Sequence, residues 1–180
     1  SYTFTATAAV FAQSNIDFEF EDIDFKTFLM KKTPELSVPV HFAGLFNTQP
    51  KVLFEDSAHR IVKSSFNGNI ACFSFYAVKN MTTGEGGMIA CKDKKMADWL
   101  RKARLHGISA DAWKRYQKKG SSGIYEVEFP GWKANTTDFQ SALGLVQLKK
   151  LDQMQKKRNQ LVERYNNRLE SGIDRDANHL

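Results

Sequence analysis

Apolar positions change their spacing several times along this chain, and each change marks an element. Residues 70–78 read Ile-Ala-Cys-Phe-Ser-Phe-Tyr-Ala-Val, a nearly unbroken apolar run that predicts a buried strand. Lys79 ends the run, and Thr-Thr-Gly-Glu-Gly-Gly at 82–87 follows as a tight, glycine-rich connection to a second short strand at 88–91. Earlier in the chain, 16–23 alternates as Ile-Asp-Phe-Glu-Phe-Glu-Asp-Ile, the period of two of a half-exposed strand. Thr5–Gln13 has the alanine and apolar content of a helix. The short apolar runs at 38–42, with a turn at Gly44, and at 52–54 read as strand segments.

The second half is patterned differently. Asp93 is a helix N-cap, and Met96, Trp99, Leu100 and Ala103 recur at three- and four-residue spacing before Gly107, a C-terminal stop. A Gly-Ser-Ser-Gly stretch at 120–123 precedes a predicted strand at 125–129. Thr137 and Gln140 have capping-box spacing and open a helix with Phe139, Leu143, Val146 and Leu151 on its apolar positions. Leu161, Val162, Tyr165 and Leu169 continue the pattern beyond the basic Lys156-Lys157-Arg158. A run of this length implies two helices or one extended connector. Strands alternating with helices predict a three-layer α/β domain with a mostly parallel sheet, its site at the carboxyl ends of the strands. A parallel sheet needs crossovers of about a dozen residues, so the stretch from Gly44 to Val52 is too short for one and 60–70 is also abbreviated.

Composition narrows the setting. The 180 residues, 42% hydrophobic and 26% charged, suit a folded domain with one core. Cys72 and Cys91 both lie in apolar runs, which argues against a disulfide framework and for a reducing, cytoplasmic setting. No apolar run reaches membrane-spanning length, nothing resembles a signal peptide, and the start at Ser1 looks trimmed. The net charge of +6 favours anionic partners. Most of that charge in 92–104 and 149–168 sits at helical intervals, as on a solvated helix face, and no nucleic-acid-binding motif accompanies it.

Two clusters carry chemistry. An ammonium at the end of a buried strand, as at Lys79, loses hydration and becomes available as a neutral amine nucleophile, although a surface lysine at a strand end has the same spacing. Glu55-Asp56-Ser57-Ala58-His59 places two carboxylates and a histidine after an apolar strand. Acid–base work is one reading; a metal site lacks a second group of ligands. Ser74 offers a strand-end hydroxyl, suited to an anion or to bonding a neighbouring strand. His41 among apolar neighbours reads as a satisfied core histidine, and His106 and Trp113 as structural.

Ser-Phe-Tyr-Ala-Val-Lys-Asn-Met-Thr-Thr-Gly-Glu-Gly-Gly at 74–87 resembles the cofactor-lysine motif of the DegT/DnrJ/StrS nucleotide-sugar aminotransferases, which are fold-type I pyridoxal phosphate (PLP) enzymes. Ser-Tyr-Thr-Phe-Thr-Ala-Thr at 1–7, the Val-His segment at 40–41, Glu-Asp-Ser-Ala-His at 55–59 and Gly-Trp-Lys-Ala-Asn-Thr-Thr-Asp at 131–138 resemble other family segments in the family's order; Ala134 departs from the usual aromatic. The resemblance implies that Lys79 holds PLP as a Schiff base and shuttles the catalytic proton. It implies that Asp56 pairs with the pyridine nitrogen, His59 contacts the cofactor, Ser74 binds its phosphate and Phe4 stacks on its ring. Asn135, with Lys133 as a second candidate, would serve the phosphate region of a neighbouring subunit, so a homodimer with shared sites is implied.

The implied reaction moves an amino group from an amino acid donor, such as glutamate, to a nucleotide-linked keto sugar, with a lean toward a UDP-linked 4-keto-6-deoxy sugar, in the making of polysaccharide precursors. No nucleic acid, membrane or metal is implied. Residues 1–150 would be a partial PLP-binding large domain and 151–180 the start of a connector toward a small C-terminal domain. Two alternatives stand beside this reading: a non-catalytic or incomplete fragment of the fold, and a related PLP sugar dehydratase, which carries histidine at the lysine position and is disfavoured by Lys79.

Overall fold

The computed structural model describes residues 2–31, 36–48, 52, 54–61, 68–109 and 126–169. Trp113, the Gly-Ser-Ser-Gly stretch and most of the abbreviated 60–70 segment lie outside them. The chain forms two compact units, Ser1–Ala90 with Phe139–Leu180, and Cys91–Asp138.

The first unit is built on a sheet of β1 (Glu55–Asp56), β2 (Ile70–Ser74) and β3 (Gly87–Cys91), in that order. β1 and β2 are parallel, with Glu55 opposite Ala71 and Asp56 opposite Cys72. Val40 makes a parallel bridge to Asp56. Asp56 is thereby held on both sides: its N–H donates to the Pro39 carbonyl (3.0 Å), its carbonyl accepts from His41 N–H (3.0 Å), and Ser57 N–H donates to the Cys72 carbonyl (2.9 Å). After β2, the Phe75 N–H donates to the Gly86 carbonyl at 2.8 Å and the chain turns back into β3. Gly86 has φ +153°, and a Cβ there would strike the Thr83 hydroxyl, so this turn requires glycine.

Helix α1 (Thr5–Gln13) joins this unit along one face. Residues four apart on a helix and two apart on a strand share a face. Thr7 and Phe11 of α1 accordingly meet Asp56 and Phe54: the Phe11 and Phe54 rings stack with centroids 6.1 Å apart, and the Thr7 hydroxyl donates to Asp56 Oδ2. The long helix α3 (Asp138–Asn166, 29 residues) is uninterrupted, so the run is one helix rather than two over this range, and Thr137 immediately precedes its first residue.

Two strand predictions need correction. Residues 16–22 form no strand; the only pairing there is a bridge between Ile23 and Met30. Alternation supplies a face but not a partner strand, and Phe18 instead packs edge-on to Phe20 and against Phe11. Of the strand expected at 52–54, Val52 and Phe54 are not in a strand and Leu53 lies outside the described residues; the observed strand is Glu55–Asp56, where backbone partners exist on both sides.

In the second unit, α2 (Lys94–Ala103) begins as predicted, with Asp93 Oδ1 accepting from Met96 N–H at 2.6 Å. Trp99 stacks on Phe129 with an interplanar angle of 7°. Leu105 bridges to Lys133 and Ile108 to Val127, so the strand expected at 125–129 is reduced to a single bridge among its described residues. Gly107 ends this region at φ +72°, where an added Cβ would run into the Phe129 carbonyl.

Candidate active site

The site is assembled at the carboxyl ends of the two parallel strands, where α/β sheets leave a crevice. Asp56 is the last residue of β1 and Ser74 the last of β2. Ser74 Oγ accepts from Tyr76 N–H (3.3 Å), and Lys79 N–H donates to the Tyr76 carbonyl (3.0 Å), so serine and lysine are tied into one turn. The Lys79 side chain is half-buried, and its ammonium makes no hydrogen bond or ion pair among the described residues.

His59 reports on its neighbours electrostatically. Its pKa lies below the ordinary 6.5, first because burial disfavours the imidazolium, then because the Lys79 ammonium opposes it, while Asp56 works in the other direction. Asp56, His59 and Lys79 therefore share one electrostatic environment. Ala43 N–H donates to His59 Nδ1 at 3.4 Å, and the ring lies 6.0 Å from that of Phe42. Cys72, opposite Asp56 on β2, has its thiol pushed up to about 11 by burial and then by the Asp56 charge, which keeps it protonated and unreactive.

Phe4 stands at the N-cap of α1 with 75% of its surface exposed, so its ring is free to cover a flat ligand. Lys133 and Asn135 lie in the second unit, both exposed, with Lys133 Nζ donating to Asn135 Oδ1. The structure thus gathers Asp56, His59, Ser74, Lys79 and Phe4 in one unit and pairs Lys133 with Asn135 in the other.

Glu55, one residue before Asp56, points the other way. Glu55 and His41 are almost fully buried and paired at 3.0 Å; Glu55 also accepts from Gly68 N–H, and His41 Nδ1 accepts from Asn47 N–H at 3.2 Å. His41 is the satisfied core histidine that the sequence suggested. A cleft of about 620 Å³ in this unit is lined by Tyr2, Thr7, Phe11, Phe18 and Phe20 among others, and by none of the five gathered candidates. Helix α3 supports the loop that follows Lys79: Arg158 donates to the Asn80 carbonyl (2.9 Å) and Gln140 to the Glu85 carbonyl (2.8 Å).

Sequence reading missed Thr7 and the Glu55–His41 pair. The signal for Thr7 was its position three residues after Phe4 on the same helix; nothing local pairs residues 41 and 55. The donor set fits pyridoxal phosphate: an unpaired amine for its aldehyde, a fixed carboxylate for its ring nitrogen, a strand-end hydroxyl near backbone N–H groups for its phosphate, and an exposed aromatic for its ring.

Over 188 aligned residues the chain is 43% identical to the spore coat polysaccharide biosynthesis protein SpsC of Bacillus subtilis, covering 91% of this chain and 48% of that protein. Over 196 residues it is 37% identical to the Methanocaldococcus jannaschii protein MJ1066, covering 94% and 50%. Among solved structures, the Streptococcus pneumoniae protein Spr1654, assigned as a sugar aminotransferase, matches in its PMP form with a TM-score of 0.78 at 27% identity, over 92% of this chain and 52% of that one. Its PLP form matches with a TM-score of 0.75. These structures bear out the α/β fold, and the chain spans about half the length of the relatives it matches. The family model for the DegT/DnrJ/EryC1/StrS aminotransferases matches residues 48–176, and the chain belongs to that family.

Proposed function

We propose that this chain forms part of a PLP-dependent aminotransferase that transfers an amino group from an amino acid donor, such as glutamate, to a nucleotide-linked keto sugar for polysaccharide precursors. The observation that carries this reading is the placement of Asp56 at the end of β1 beside the parallel strand β2, whose end leads through Ser74 into the turn that bears Lys79. A spore coat polysaccharide protein and a sugar aminotransferase among the relatives support the substrate class.

Bound pyridoxal phosphate supplies the electron sink that amino transfer needs. The residues of the chain do the rest. Asp56 would hold a proton at the ring nitrogen, His59 would contact the cofactor, Phe4 would cover the ring and exclude water, and Ser74 would bind the phosphate. Lys79 would anchor the cofactor, and its Nζ would hold and move the catalytic proton.

Lys133 and Asn135 serve the phosphate region of a second copy, which makes the working form a homodimer in the cytoplasm. Residues 1–150 belong to the large domain, and 151–180 lead toward a small domain. The test is an absorbance spectrum of the purified chain with added PLP, before and after borohydride, in wild type and Lys79→Ala. A visible band that reduction fixes onto Lys79 is expected in wild type alone. A folded wild type without such a band sinks the proposal in favour of an incomplete site.

A further inference from the structure

The carboxylate of Asp56 is pinned at both oxygens before any ligand arrives. Oδ1 accepts from Ala58 N–H at 3.1 Å, a bond within the strand end itself. Oδ2 accepts from the Thr7 hydroxyl at 2.6 Å, across 49 residues of sequence. That distance is in the range of an O–H···O⁻ bond, the stronger, charge-assisted kind. A threonine hydroxyl has one hydrogen, and this one is committed to Asp56. In the 2.9 Å contact between Thr3 and Thr7, Thr3 must then be the donor. Two hydroxyls in series polarise each other and strengthen the bond to the carboxylate.

We propose that Thr7, backed by Thr3, is the positioning residue for Asp56, fixing the plane of its carboxylate so that a remaining lone pair faces the cofactor's ring nitrogen. This rests on reading Asp56 as the partner of that nitrogen. Each oxygen keeps acceptor capacity beyond the bond it already makes. Helix α1 couples two tasks in a single turn: Phe4 at its N-cap covers the ring, and Thr7, three residues on, orients the charge beneath the ring's edge. The competing role is a plain tether between helix and sheet, already served in part by the Phe11–Phe54 stack. A tether alone affects stability and leaves the cofactor's behaviour untouched.

The experiment titrates PLP into wild type, Thr7→Val, Thr7→Ser and Thr3→Val, following the visible band, its dissociation constant and its pH midpoint. Thr7→Val is expected to weaken PLP about tenfold, the scale of one hydrogen bond to a charged group. Its midpoint should move to higher pH, because a ring nitrogen less firmly protonated opposes protonation at Lys79 Nζ less. Thr7→Ser should restore both to within about twofold, and Thr3→Val should weaken binding roughly threefold. If Thr7→Val fails to fold by circular dichroism, Thr3→Val decides, and wild-type behaviour in it overturns the proposal. A wild type that forms the band, with Thr7→Val matching it in affinity and midpoint, overturns the positioning role alone. No reducible band in wild type overturns the role of Asp56 and this proposal together.

Discussion

Glu55 and Asp56 are neighbours of the same charge type on one two-residue strand, yet they live in different surroundings. Strand geometry sends them to opposite faces. Glu55 is 1% exposed and locked to His41 on a face closed by Pro39, Asn47 and Gly68. Asp56 is half-buried on a face shared with Thr7, His59 and Lys79, with acceptor capacity left over. One carboxylate has every partner it needs within the protein, and the other is held in place but left incomplete. The contrast teaches that burial and spent bonding capacity go together at Glu55, while partial exposure and unspent acceptor capacity go together at Asp56.

The contrast can be broken from either side. The largest effect is expected on the Asp56 face: Lys79→Ala should abolish the borohydride-reducible PLP band altogether while the far-ultraviolet circular dichroism stays that of wild type. On the other face, Glu55→Ala leaves a buried histidine without its partner and should cost about 3–5 kcal/mol of stability, read from urea denaturation. A loss under about 1 kcal/mol would mean that the Glu55 face is not the closed one. Asp56→Asn should do the reverse. PLP binding should weaken by about 10–100-fold, while stability changes by less than about 1 kcal/mol.

The smallest effect sharpens the comparison most. In NMR titrations without cofactor, His59 should titrate below 6.5 in wild type, higher in Lys79→Ala and lower still in Asp56→Asn, since the two charges act on it with opposite signs. The folded-state value lies under the unfolded one, so the unfolded chain takes up the proton first as pH falls. The stability associated with His59 is complete above pH 6.5 and is lost as pH drops through that value and then through the lower folded one. His59→Gln should remove that slope. A His59 that ignores both substitutions would separate it from the Lys79–Asp56 pair.

What the sequence revealed and what it concealed divide along physical lines. The strand at 70–74, the Asp93 cap and the glycine turn at 84–86 were legible because their causes are local: an apolar run, a side chain that reaches its own helix, a backbone angle only glycine adopts easily. The motif around Lys79 was legible as a family pattern. The strand expected at 16–23 failed because pairing depends on a distant segment that alternation does not specify. Thr7 was passed over because a threonine in an alanine-rich helix reads as neutral until its partner, 49 residues away, is known. His41 was recognised as core, but its partner Glu55 was grouped with Asp56 because the two are adjacent in the chain although they face apart in space.

The bond from Arg158 to the Asn80 carbonyl spans 78 residues. During synthesis the chain emerges from its amino end at about 5–20 residues per second. The segment bearing Lys79 therefore exists for roughly 4–16 s before the helix that secures its following loop has even been made. The nascent protein passes through a stage in which the sheet and α1 can form while the loop after the lysine lacks its last support. A ribosome paused within that interval would hold a chain with a formed carboxylate clamp and an unsecured lysine loop, so competence for the cofactor would wait for the helix that bears Arg158.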